Sequence, residues 1–116
     1  MKFLGKQYMV ELKGCNASIL DDPEFIGRAM NEAALKANAT IVQQFFHQFS
    51  PFGVSGTIVI AESHINIHTW PEHCYAAVDM FTCSDTLIAE NAIDYLKEAL
   101  EAKDCSTSMI HRGQIG

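Results

Sequence analysis

The stretch from Glu62 to Cys83, ESHINIHTWPEHCYAAVDMFTC, constrains the fold more than any other part of the chain. Side chains alternate in character along SHINIHTW and again along YAAVDMFT, and a period of two is typical of β-strands. The four residues PEHC between the two runs have the length of a hairpin loop. The sequence therefore predicts an antiparallel hairpin in which Trp70 lies opposite Tyr75.

This register divides the hairpin into two faces of different chemistry. The first face is suited to a core and consists of Ile65, Ile67, Thr69, Ala76, Val78, Met80 and Thr82. The second face collects polar and aromatic side chains, namely His64, Asn66, His68, Trp70, Tyr75, Asp79, Phe81 and Cys83. Extending the register also places Glu62 opposite Cys83. Because exposed aromatic clusters usually mark contact surfaces, we expect the second face to meet another subunit in a homodimer.

Two helices are predicted from apolar residues at steps of three and four. The first follows Asp21 or Asp22 as N-cap, has Pro23 in its first turn and ends near Asn38. The second is predicted from Thr86 to Ala102, with Ser84 or Asp85 as its cap.

Further strands are predicted at Lys6–Leu12, at Thr40–Phe49, from Thr57 onward and, more weakly, at Cys105–Gly113. The fold class expected is α+β, a two-layer sandwich with an antiparallel sheet and two helices packed on one face. Residues 1–116 form a single domain in this interpretation.

Composition excludes several classes of partner. The net charge is −6 and no lysine or arginine cluster offsets it, so neither nucleic acid nor an anionic membrane surface is expected to bind. The N-terminus has the wrong pattern for a signal peptide, and no apolar run reaches the roughly 20 residues that span a bilayer. We therefore expect a cytoplasmic protein.

The second face carries residue types that could form a metal site or a conventional Cys/His nucleophile pair. His64 and His68 lie about 13 Å apart along a strand, which is too far for one zinc ion. No CxxC pair occurs among the four cysteines, so no metal is expected. Cys83 and His68 share the face, but the register separates them by several residues.

The motifs ESH, HTWPE and FTC, preceded by FHQFSPFGVSG at Phe46–Gly56, resemble the short prokaryotic S-adenosylmethionine decarboxylases, which are pyruvoyl-dependent. The resemblance implies a proenzyme that cuts itself between Glu62 and Ser63, giving a β chain of residues 1–62 and an α chain of residues 63–116. Ser63 would become the pyruvoyl group, which forms a Schiff base with the substrate's amine.

The same resemblance assigns roles to individual residues. His68 would be the proton acceptor in processing, Ser55 would support the intermediates of cleavage, and Cys83 would be the proton donor in catalysis. Strict alternation places Ser63 on the opposite face from His68. We therefore expect a bulge or kink between Glu62 and His64.

For substrate binding, the resemblance implies that Phe49 and Trp70 sandwich an adenine and that Glu72 accepts hydrogen bonds from a ribose. The expected reaction converts S-adenosylmethionine to its decarboxylated form, the aminopropyl donor for spermidine and other polyamines. A pyruvoyl-dependent arginine or ornithine decarboxylase of the same fold is the alternative, and an unprocessed regulatory homologue is a further one.

Overall fold

The computed structural model describes residues 2–116, which form one antiparallel sheet of six strands in the order β2-β3-β4-β5-β1-β6, together with three helices. The elements are β1 (Lys2–Lys13), α1 (Ala17–Leu20), α2 (Pro23–Lys36), β2 (Ile41–Gln48), β3 (Val54–Ile60), β4 (Ser63–Trp70), β5 (Tyr75–Thr82), α3 (Ala89–Ala99) and β6 (Asp104–Ile115). The predicted α+β sandwich is confirmed, with one short additional helix.

The hairpin register predicted from the sequence is confirmed. Trp70 pairs with Tyr75, and the pairing continues without interruption to Ser63 opposite Thr82. The loop is a single 3-10 turn, Pro71–His73, closed by Cys74 in a left-handed conformation with φ 50°. A two-residue turn joins β3 to β4, because Ile60 pairs with Ser63.

The core lies between the sheet and the two longer helices. Every hairpin side chain of the predicted apolar face is less than 9% exposed, with Ile65, Ile67 and Ala76 at 0%. Helix α2 begins as predicted, because Asp22 Oδ1 accepts hydrogen bonds from the amides of Glu24 and Phe25. It ends at Lys36 with Ala37 as its C-cap, one residue before the predicted end at Asn38. Asn38 has a left-handed φ of 65°, which terminates the helix.

The start of helix α3 was predicted wrongly. The helix begins at Ala89 after Ile88, which makes no side-chain capping bond. The hydroxyl of Ser84 instead accepts a hydrogen bond from the amide of Thr86 at 3.0 Å, so it closes a local turn ahead of the helix.

Two further elements differ from expectation. Helix α1 was missed, and its N-cap is Asn16, whose Oδ1 accepts hydrogen bonds from two amides of the first turn. Strand β6 is not a weak element, since it pairs with β1 from Asp104 to Ile115. Its residues from Ser106 onward are exposed, which explains why their sequence pattern is faint.

Candidate active site

The helices cover one face of the sheet and leave the second face of the hairpin open. On this open face Trp70 is 41% exposed, and His68 and Cys83 are exposed as well. Neighbouring strands add large apolar side chains to the same face. Met9 pairs with Asp79 of the open face, and Phe45 pairs with Thr57, which itself pairs with Asn66 of the open face. Phe45 is 69% exposed and Met9 is 40% exposed.

Ser63, the predicted pyruvoyl precursor, lies at the start of β4. Its φ of 145° is a backbone conformation that residues other than glycine rarely adopt. Its pairing with Thr82 would point the hydroxyl toward the core face. Instead, Ser63 Oγ lies 3.9 Å from the exposed Cys83 Sγ. The expected kink is therefore present as a backbone rotation, and the pairing around Ser63 shows no bulge.

The carbonyl oxygen of Glu62 is held by Cys83. The Cys83 amide donates a hydrogen bond to it at 3.1 Å, and the Cys83 thiol donates to the same oxygen at 3.6 Å. The Glu62 side chain accepts a hydrogen bond from the amide of Thr40 at 3.0 Å, which anchors this turn to the start of β2. The predicted placement of Glu62 opposite Cys83 is confirmed.

A pocket of about 220 Å³ opens beside Cys83. Its lining includes Phe3, Lys6 and His111, from strands β1 and β6, none of which was predicted to be a site residue. Strand β1 was predicted to begin only at Lys6, and strand β6 was predicted only weakly. The sequence therefore contains no indication that either strand reaches the site.

The predicted site residues form two groups. The first group, Glu62, Ser63 and Cys83, lies at the start of β4. The second group lies at the opposite end of β4 and consists of Phe49, Ser55, His68, Trp70 and Glu72. Ser55 Oγ lies 2.8 Å from His68 Nδ1 across the paired strands β3 and β4. A cavity of about 280 Å³ adjoins this pair, and its lining includes all three residues assigned to substrate binding, Phe49, Trp70 and Glu72. The residues predicted for substrate binding therefore lie around one cavity, together with Ser55 and His68.

The structure does not bring the two groups together within one chain. Ser63 and His68 are five positions apart on the continuous strand β4, a separation of about 16 Å at the usual rise per residue. The imidazole of His68 cannot reach Ser63 of its own chain across that distance.

A polar network occupies the open face between the two groups. Asp79 Oδ2 accepts a hydrogen bond from Asn66 Nδ2 at 3.2 Å and lies 3.5 Å from His64 Nε2. Separately, at the loop end of the hairpin, the hydroxyl of Tyr75 donates to Glu11 Oε2 at 2.5 Å. Burial, and then the Glu11 carboxylate, raise the pKa of Tyr75 to about 12.

Within residues 2–116, no group of three or more His, Cys, Asp and Glu side chains is arranged to hold a metal ion. No helix in the same range is long and apolar enough to cross a bilayer.

Comparison with known proteins defines the class to which this fold and site belong. The sequence model of the S-adenosylmethionine decarboxylase family matches residues 6–113. A relative from Acidithiobacillus ferrooxidans, named S-adenosylmethionine decarboxylase proenzyme, is 53% identical over 115 residues, which are 99% of this chain and 86% of the relative. A relative of the same name from Thermodesulfovibrio yellowstonii is 51% identical over 115 residues, covering 99% of this chain and 85% of its own.

The fold is similar to that of a solved member. The crystal structure of the adenosylmethionine decarboxylase from Aquifex aeolicus matches with a TM-score of 0.91 at 37% identity, over 100% of this chain and 96% of that one. The chain therefore belongs to the S-adenosylmethionine decarboxylase family.

Proposed function

We propose that this chain is a self-processing, pyruvoyl-dependent decarboxylase that converts S-adenosylmethionine to decarboxylated S-adenosylmethionine and carbon dioxide. The product is the aminopropyl donor from which spermidine is made. The observation that carries the proposal is the geometry at the Glu62–Ser63 bond. There, two donors of Cys83 meet the Glu62 carbonyl oxygen, and Ser63 has an unusual φ of 145°.

Self-cleavage uses these groups in order. Ser63 Oγ attacks the Glu62 carbonyl carbon, and the negative charge that develops on oxygen is stabilised by the Cys83 amide. The amide becomes an ester as the acyl group moves from nitrogen to oxygen. Removal of the Ser63 α-proton expels the Glu62 carboxylate and leaves dehydroalanine. Addition of water and loss of ammonia then give the pyruvoyl group at the start of the α chain.

The base for the α-proton comes from the second group of residues. The His68 tautomer protonated at Nδ1 donates to Ser55 Oγ, which leaves Nε2 free to accept a proton. Because His68 lies about 16 Å from Ser63 of its own chain, a second subunit must supply it. Two open faces packed with opposed strand directions would place His68 of the partner subunit near Ser63.

This homodimer also accounts for the composition of the open face. Packing two such sheets face to face removes Met9, Phe45 and Trp70 from water, which is the expected use of an exposed apolar sheet surface. It would also join the cavity beside His68 in one subunit to the pocket beside Cys83 in the other. Each complete site would then contain residues from both chains.

In turnover the pyruvoyl group supplies an electron sink, equivalent to the role of pyridoxal phosphate in other decarboxylases. The thiol of Cys83, directly beside Ser63, returns a proton to the substrate carbon that has lost its carboxylate. Phe49 and Trp70 provide aromatic faces for the adenine, and Glu72 provides an acceptor for the ribose hydroxyls at the same cavity.

The substrate is tested by assaying carbon dioxide release from carboxyl-labelled S-adenosylmethionine, arginine and ornithine side by side. We expect release from S-adenosylmethionine alone, because the cavity offers two aromatic faces that the amino acids would leave unused. Release only from arginine or ornithine would refute the assignment of substrate while leaving the processing chemistry intact.

A further inference from the structure

His47 is a residue to which the proposed mechanism gives no role, although it lies beside the site. It is on the edge strand β2 and pairs with Ser55, which in turn pairs with His68 on β4. The three side chains therefore form one row across the open face, in which Ser55 and His68 are hydrogen-bonded at 2.8 Å.

The ring of His47 contacts the ring of Phe49. Their centroids lie 4.7 Å apart with an interplanar angle of 78°, the edge-to-face arrangement that aromatic pairs favour. Phe49 lies just beyond the end of β2, and its amide donates to the Gly53 carbonyl at 2.8 Å. Its backbone is thus held, whereas its side chain remains 49% exposed.

Phe49 lines the cavity of about 280 Å³, whereas His47 does not. A half-exposed phenylalanine samples several rotamers, and binding a planar ligand against it requires one of them. An edge contact from a neighbouring ring reduces that freedom before the ligand arrives. His47 is placed to do this for Phe49 without touching the ligand itself.

We propose that His47 is a positioning residue for substrate binding, which fixes the ring of Phe49 so that it can stack on the adenine of an adenosyl substrate. The inference rests on the proposed function, because it takes the adenine to bind against Phe49. It concerns binding and leaves self-cleavage and the decarboxylation step unaffected.

The test uses processed protein and two readouts. One is KM and kcat for S-adenosylmethionine, and the other is the Kd of 5′-methylthioadenosine, an adenine nucleoside that lacks the reacting amine and carboxylate. We expect His47→Ala to raise both KM and Kd by about two- to tenfold, the range for one aromatic edge contact. The value of kcat and the fraction of chain cut should be unchanged.

Two variants show whether the effect passes through Phe49. His47→Phe, which retains an aromatic edge, should restore KM and Kd to near the values of the unaltered protein. In a Phe49→Leu background, His47→Ala should cause no further rise. Gln43→Ala, at another exposed position on β2, is the control for general damage to the edge strand and should change neither constant.

The proposal is overturned if His47→Ala leaves Kd unchanged, or if it raises Kd equally in the Phe49→Leu background. Protein that binds methylthioadenosine but releases no carbon dioxide would count against the proposed function. The Kd comparison would still decide the role of His47 in that case.

Discussion

The amide of Cys83 and its thiol both donate to the carbonyl oxygen of Glu62, at 3.1 and 3.6 Å. The first donor belongs to the backbone and the second to the side chain, so a substitution at this position removes only the second. In the proposed mechanism, cleavage of the chain depends on the carbonyl being polarised, whereas turnover depends on the thiol as a proton donor. The two roles of Cys83 are therefore separable by mutation.

Cys83→Ala should still be cut but should decarboxylate poorly. The backbone amide remains to stabilise the oxyanion, and loss of a positioned acid typically lowers a rate by 10² or more. The fraction of cut chain on a denaturing gel and the rate of carbon dioxide release measure the two effects. Cys74→Ala, which alters a thiol outside the site, is the control. A Cys83→Ala protein with undiminished turnover would exclude the thiol as proton donor.

His68→Ala should slow self-cleavage by about 10² or more, because it removes the proposed base for the Ser63 α-proton. Ser55→Ala should slow it less, since the imidazole remains but loses its 2.8 Å hydrogen bond. The accumulation of the α chain with time measures both. His73→Ala, on the exposed hairpin loop, should process at the normal rate.

Mixed dimers test whether His68 of one subunit acts on Ser63 of the other. A His68→Ala chain retains Ser63, and a Ser63→Ala chain retains His68. If the base comes from the other subunit, co-expression with the Ser63→Ala chain should restore rapid cutting of the His68→Ala chain. Alone, the His68→Ala chain should be cut only slowly and the Ser63→Ala chain should not be cut. Mixed dimers that form without any cleavage would mean that the site does not cross the interface.

The thiols of Cys15 and Cys83 should differ in their reactivity toward alkylating reagents at pH 8. Burial, and then the neighbouring thiols of Cys74 and Cys105, raise the pKa of Cys15 to about 11, whereas Cys83 is exposed. A raised pKa keeps the unreactive thiol form dominant until the pH approaches that value. At pH 8 an alkylating reagent should modify Cys83 and spare Cys15, as read by peptide mapping. Modification of Cys15 in folded protein at pH 8 would contradict its burial.

Two glycines near Phe46 should respond oppositely to alanine. A Cβ at Gly56 would clash with the Phe46 ring, so Gly56→Ala should lower the free energy of unfolding by about 1–3 kcal/mol. A Cβ at Gly27, inside helix α2, would meet the same ring at 3.9 Å, an ordinary contact. Gly27→Ala should therefore raise stability by up to about 1 kcal/mol. Urea unfolding measures both, and equal effects would refute the packing described.

The hairpin could be predicted from the sequence because a period of two and a four-residue loop leave one register that buries Ile65 and Ile67. The direction of the Ser63 side chain could not be predicted from alternation, because a φ of 145° leaves no mark on side-chain periodicity. The kink was expected only because the resemblance requires Ser63 and His68 to act together. Strand β6 was hard to recognise for a related reason, since an exposed edge strand buries little and so needs little alternation.

The separation of the two groups of site residues could have been found from the sequence. The spacing argument that excludes a shared metal for His64 and His68 also separates Ser63 from His68. What the sequence could not supply was the lining contributed by Phe3 and His111, because it depends on β1 and β6 extending past the hairpin's open end.

The intact mass of the purified protein tests the central claim most directly. We expect two fragments, one of residues 1–62 and one starting at residue 63 with a keto-acyl terminus. Their summed mass should exceed that of the uncut chain by one water less one ammonia, and phenylhydrazine should add to the second fragment and abolish turnover. Ser63→Ala should remain a single chain. Continuous, carbonyl-free protein that still decarboxylates S-adenosylmethionine would contradict the account.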